Sequence, residues 1–128
     1  MSPVLRAGSV FEHMRHICER PGMFAPDFTL DHLFIYLVGY DDALGDAGIV
    51  SPQARFNEWI YKQHPDWRHL PEWWAKQILH ANGGDLERTL GDIIRLLNQF
   101  LATDGAEFVR FPARSTPAGE FGTLGRAR

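Results

Sequence analysis

The stretch Leu33-Phe34-Ile35-Tyr36-Leu37-Val38 decides how this chain is read. No other six-residue window is as continuously apolar. It lies in a longer segment that runs from Glu19-Arg20-Pro21-Gly22-Met23-Phe24 to Gly39-Tyr40-Asp41-Asp42. A strand is the rival reading, because Phe-Ile-Tyr-Leu-Val favours β-structure. Helix is favoured on three grounds. Thr29 is a suitable N-cap, and Asp31 places negative charge in the first turn, where the helix dipole welcomes it. The segment is longer than an ordinary strand. Ala43 and Leu44 continue the face of Tyr36, Leu37 and Tyr40. A helix from Thr29 to about Leu44, apolar all round its middle, is expected to lie among others as an inner rod. Gly39 inside it would cost about 1 kcal/mol relative to Ala. A close helix crossing at Gly39 would offset that.

Working outward, Ser9 and Glu12 have capping-box spacing for a first helix. Val10, Met14, Ile17 and Cys18 fall at i, i+4, i+7 and i+8 on one face of it. Pro21-Gly22 stops this helix, with a positive φ open to Gly22. Met23 and Phe24 are expected to fold back as an apolar plug. Downstream, Ser51-Pro52 starts a third helix striped by Phe56, Trp59 and Ile60, and His64-Pro65-Asp66 breaks it. Leu70-Pro71-Glu72 opens a fourth, with Trp74, Ile78 and Ala81 on one face and Trp73 beside them. Asn82-Gly83-Gly84 closes it. Asp85 caps a fifth helix with apolar residues at Leu86, Leu90, Ile93, Leu97 and Phe100, and Asp104-Gly105 ends it. Phe108-Val109-Arg110-Phe111 alternates as an extended strap.

The expectation is an all-α, single-domain bundle of about five helices over residues 9–111. A flexible lead-in (1–8) and a disordered tail (112–128), rich in Pro, Gly, Ser, Thr and Arg, flank it. A length of 128 residues suits one core, and four Trp and nine Phe supply much of its area.

The formal charge is −3. Arg114, Arg126 and Arg128 against Glu120 put +2 on the tail, which leaves −5 on residues 1–111. An acidic body argues against nucleic acid and for a basic protein partner. Cys18 is the lone cysteine, so no internal disulfide or thiolate metal cluster is expected, and the thiol reads as buried and inert. No secretory signal is visible, and no apolar run approaches the ~20 residues of a membrane span. The cytoplasm is the expected compartment.

His13 and His16 stand at i, i+3, a possible metal pair, but His32, His64, His69 and His80 match no zinc spacing. No metal or cofactor is expected. Asp41, Asp42 and Asp46 gather at the C-terminal end of the second helix, where negative charge opposes the dipole. They read as a solvated rim, as a patch meeting a cationic surface, or as acid–base carboxylates. Trp59 and Trp74 lie on core faces. Trp67 and Trp73 flank a Pro turn with Asp66, Arg68 and Glu72, so one is expected as an exposed interface anchor. The other reading of Trp67 is a lid over the junction of helices three and four.

Arg20-Pro21-Gly22-Met23-Phe24, then Leu33-Phe34 through Gly39-Tyr40 and Ala43, resembles a family of small bacterial helical proteins. Phe56-Asn57-Glu58-Trp59, Trp74-Ala75-Lys76-Gln77-Ile78 and the Leu86–Leu101 helix extend the resemblance over residues 10–101. The family usually has Tyr at the place of Phe24 and a Gly soon after, where this chain has Ala25-Pro26. Such proteins look like immunity proteins, which neutralise a cognate toxin in bacterial competition. The resemblance implies a non-catalytic binding protein that occludes a toxin surface, the toxin being basic if charge guides the pair. The matching residues are core and turn residues, so no contact position carries over. Asp41, Asp42, Asp46, Trp67 and Trp73 are the partner-binding candidates from the residues themselves. The alternatives are an enzyme with His and Asp groups in a cleft between helices two and four, and an adaptor subunit of a larger assembly.

Overall fold

The computed structural model of the protein describes residues 9–109. The expected lead-in 1–8, the second half of the strap (Arg110, Phe111) and the tail 112–128 lie outside them. Among the described residues there are six α-helices and no strand: α1 Ser9–Glu19, α2 Pro21–Phe24, α3 Leu30–Asp46, α4 Gln53–Gln63, α5 Trp74–Ala81 and α6 Leu86–Ala102. Two 3₁₀ turns, Pro65–His69 and Ala106–Phe108, complete the order. The all-α expectation holds.

The centre of the molecule is α1 against α6. Val10, Phe11, Met14, Ile17 and Cys18 of α1 are buried, as are Leu90, Ile93, Leu97 and Phe100 of α6. Where α4 joins them, rings interlock. Phe11 meets Phe56 at 5.9 Å and Phe100 at 5.6 Å between centroids, and Phe56 meets Phe100 at 5.1 Å. Trp74 of α5 closes the group edge-on to Phe56 at 5.4 Å. Its indole N–H donates to Asn57 Oδ1 (2.7 Å), so the buried polar atom is satisfied.

The capping chemistry largely follows the sequence. The Asp85 carboxylate accepts from the Arg88 backbone N–H (3.0 Å), and Gly83 and Gly84 take φ values of 65° and 87° after α5. At α3 the Thr29 backbone N–H donates to His32 Nδ1 (3.0 Å), so a histidine fills the role of the usual Glu in a capping box. Helix α4 begins one residue later than expected. Pro52 is its N-cap, and Ser51 Oγ accepts from the Gln53 backbone N–H (3.2 Å). Helix α5 begins at Trp74 rather than Pro71. The chain after Pro65 first closes a 3₁₀ turn, which Arg68 ties to Glu58 of α4 through two bonds of 2.9 and 2.8 Å.

Four expectations are corrected. Gly22 is helical, not positive in φ, because Pro21 opens a single turn of helix, α2. Met23 and Phe24 form no buried plug: Met23 is 80% exposed. Phe108 lies in a 3₁₀ turn rather than an extended strap, packed on Phe11 (5.5 Å) and under the Arg55 guanidinium. Arg55 also reaches Glu107 (2.8 Å) and the Asp104 carbonyl (2.6 Å), which pins that turn to α4.

The fourth correction concerns α3. It is a helix, but it is no inner rod. It rests mainly on α1 and buries a single stripe, Leu30, Leu33, Leu37 and Leu44. Six consecutive apolar residues at about 100° each cover every direction around a helix, so a helix at the edge of a bundle must leave some in water. Gly39 is exposed, and a side chain there would meet nothing within 4 Å, so no close crossing explains it.

Gly39→Ala is therefore expected to raise stability by about 1 kcal/mol, read from urea unfolding. Gly105→Ala is the opposite case. Its Cβ would run into the fully buried Phe100 ring, and the expected loss is about 1–3 kcal/mol.

Candidate functional site

The helical period sorts α3 into two faces. The leucine stripe points to α1, while Asp31, Ile35, Val38, Asp42 and Asp46 recur at i, i+4, i+7, i+11 and i+15 along the outside. Ile35 is 68% exposed, Phe34 45% and Val38 42%. Phe34 leans on Trp73, edge-on at 5.4 Å, and Trp73 in turn tilts against buried Trp74 at 5.0 Å. An apolar ridge thus stands in solvent with an aromatic wall on one flank. On the other flank Tyr36 packs against Phe24 (5.5 Å) and Tyr40 (6.2 Å). The Tyr36 hydroxyl shares a 2.6 Å hydrogen bond with His13 Nδ1. Burial, and then the neighbouring Tyr40, push the Tyr36 phenol above its ordinary range, so it keeps its proton at neutral pH.

The charges along this outer face are uneven. At its N-terminal end Asp31 is paired with Lys76 of α5 at 3.0 Å. At its C-terminal end Asp42 and Asp46 are exposed, with no side-chain bond among the described residues. The negative end of the helix dipole lies in the same place.

The structure divides the three candidate aspartates. Asp41 is half-buried and bound: it accepts from Ser51 Oγ at 2.5 Å and from Gln53 Nε2 at 2.9 Å. It fastens the end of α3 to the start of α4. Gln53 is itself buried and its Oε1 has no partner among the described residues, so Asp41 carries that side chain's polar contact. Asp42 and Asp46 remain on the surface.

The two tryptophans also separate. Trp73 reaches α3. Trp67 lies flat on His64 at 3.9 Å, with 9° between the rings, and is half-buried over the end of α4. That matches the lid. The sequence expectation places Phe34, Ile35 and Val38 in the interior, whereas the leucine spacing already supplies a complete buried stripe without them and they stand in solvent.

The cleft that an enzyme would need between α3 and α5 is occupied by Phe34 on Trp73 and by the Lys76–Asp31 pair. A His–carboxylate contact does exist, His80 Nε2 to Glu72 Oε1 at 2.7 Å, but both side chains are about half exposed on the outside of α5. Among the described residues no group of three or more His, Cys, Asp or Glu is arranged to hold a metal. An open depression of about 540 Å³ lies in the α1–α2 elbow, lined by His16, Ile17, Glu19, Arg20, Met23 and Phe24. No helix among the described residues is long and apolar enough to cross a membrane.

Asp41→Ala is expected to cost about 1–2 kcal/mol by stranding Gln53 and Ser51. Asp42→Asn and Asp46→Asn should leave stability unchanged or raise it by about 0.3–0.5 kcal/mol, since each removes negative charge from a helix C-terminus. Comparing the three urea midpoints separates the structural aspartate from the surface pair.

Cys18 gives a chemical check on the core. Burial, followed by the Glu19 charge, pushes its thiol from 9.0 up to about 12. At pH 8 the folded protein should not react with a thiol reagent, and reaction should follow unfolding. The folded thiol holds its proton more tightly than the unfolded one. This contribution to stability is therefore whole below pH 9.0 and is lost as pH climbs towards about 12.

No protein-family model matches this chain, and neither does any curated protein or any solved structure.

Proposed function

We propose that this protein is a binding protein that neutralises a cognate bacterial toxin by covering part of its surface, without chemistry of its own. One observation carries the binding class: Phe34, Ile35 and Val38 stand in solvent on a helix whose leucine stripe already meets the needs of folding. Scattered exposed apolar residues are ordinary, but three contiguous ones on a rigid helix beside a tryptophan mark an interaction surface. The immunity reading within that class is supported by the likeness of residues 10–101 to small bacterial helical proteins of this kind. An acidic body suits it too, because opposite charge speeds association with a basic toxin.

The test is co-expression with the product of the neighbouring gene. Growth arrested by that product should be restored by this chain, and the two should purify together as a stoichiometric complex. Arrest that persists despite good expression of this chain would remove the immunity reading. A stable self-assembly in place of a heterologous complex would favour an adaptor subunit instead.

A further inference from the structure

We infer that α3 docks as a helix in a groove, with Ile35 and Val38 as its central knobs and Phe34 against Trp73 as one wall. The groove belongs to a different protein and is bordered by Lys or Arg side chains that meet Asp42 and Asp46. This rests on the binding class proposed above and names the partner's chemistry.

Three features lead to it. Residues at i, i+3 or i+4, and i+7 are the spacing by which an amphipathic helix enters an apolar groove. Here the outer face offers Ile35 and Val38 at i and i+3, with Phe34 and Val38 at i and i+4. The face is also electrically polarised. Lys76 neutralises its N-terminal acid, while Asp42, Asp46 and the helix dipole together leave the other end negative. Asp46 lies past the apolar residues, so the cations it selects must sit at one end of the groove. At 1.5 Å per residue, Asp42 is about 6 Å beyond Val38 along the axis and Asp46 roughly 16 Å beyond Ile35. The partner's cations should be spaced accordingly.

The charge pattern also chooses between occupants. Strip against strip, the Lys76 that a second copy of this chain would bring is already paired with its own Asp31. With the two helices parallel, that copy would set Asp42 and Asp46 against their own kind. An anionic lipid surface would be repelled by the same pair. Asp41 takes no part, since Ser51 and Gln53 occupy its carboxylate.

The experiment places a photo-crosslinking amino acid at position 35 of the full chain, expressed in its source organism. A second sample carries it at position 87, an exposed site on α6. Position 35 should give one cross-linked protein that position 87 does not, attached within an apolar groove beside Lys or Arg. That protein is then purified and its affinity measured. Ile35→Ser with Val38→Ser should weaken binding by about 30-fold or more, as hot-spot truncation does. Asp42→Lys with Asp46→Lys should weaken it by about 10-fold or more and flatten its salt dependence. Asp66→Lys with Glu87→Lys changes net charge equally and should alter affinity less than about 3-fold. Melting curves of each variant confirm folding, which these exposed positions leave intact.

Cross-links to a second copy only, to lipid, or to nothing beyond the control would overturn the inference. So would a position-35 partner whose affinity ignores both double variants. A neutralised toxin indifferent to them would keep the toxin reading and remove the docking strip. A partner without toxic activity that obeys them would do the reverse.

Discussion

The contact among Phe11, Phe56 and Phe100 is the constraint from which the rest of the arrangement follows. These three rings come from α1, α4 and α6, all three are buried, and Trp74 brings α5 onto the same point. Aromatic pairs at these separations add about 0.5–1.5 kcal/mol each beyond the area they bury. More to the point, they fix where four helices can lie. Once α1 is enclosed by α6 on one side and meets α4 through Phe11, α3 has only the remaining flank of α1 to rest on. It becomes an edge helix whatever its composition. Truncating any of the three phenylalanines would open a cavity among rigid rings, the type of core change with the largest losses.

Much of this organisation is visible in the residues themselves. Every helix longer than one turn except α3 is marked by its apolar spacing, and Thr29, Asp85 and Gly83-Gly84 mark ends by chemistry that survives into the fold. What the residues conceal is which helix is central. Total hydrophobicity points to Leu33–Val38, yet α1 and α6, with weaker runs, hold the middle because their apolar side chains fall on one face. A run without periodicity says that a segment can be buried, not that neighbours exist to bury it. The candidate site shows the same gap. The acidic cluster was legible as a cluster, but Asp41 could be told from Asp42 only through Ser51 and Gln53, ten and twelve residues away.

Helix α3 thus divides its residues between two tasks. Leu30, Leu33 and Leu37 join the core that α1 shares, Leu44 is buried farther along, and Asp41 secures the helix end to α4. Phe34, Ile35 and Val38 contribute nothing comparable to folding while they stand in water. Exposed apolar area costs solubility, and isoleucine or valine on the outside of a helix is a poorer helix former than Ala, Lys or Glu. Asp42 and Asp46 are likewise unfavourable next to a helix C-terminus. Two kinds of local disadvantage therefore coincide on one face of one helix. Sites where local preference is overridden are where function is sought first.

The shape of that face bears on the kind of function proposed for it. Catalysis needs groups that converge on a reacting atom, held in a pocket that excludes water. On α3 the polar groups diverge into solvent and the apolar ones form a ridge, while Phe34 on Trp73 fills the space beside α5 where a cleft would have to open. The His80–Glu72 contact has the right pair of groups, but both lie about half exposed on the open surface rather than in a pocket that excludes water. A convex apolar ridge with acids at one end is complementary to a concave surface of opposite charge. Burying it would remove the two disadvantages together: water leaves Ile35 and Val38, and cations relieve Asp42 and Asp46. Both gains would come only in the proposed complex, so they would strengthen association rather than the folded monomer.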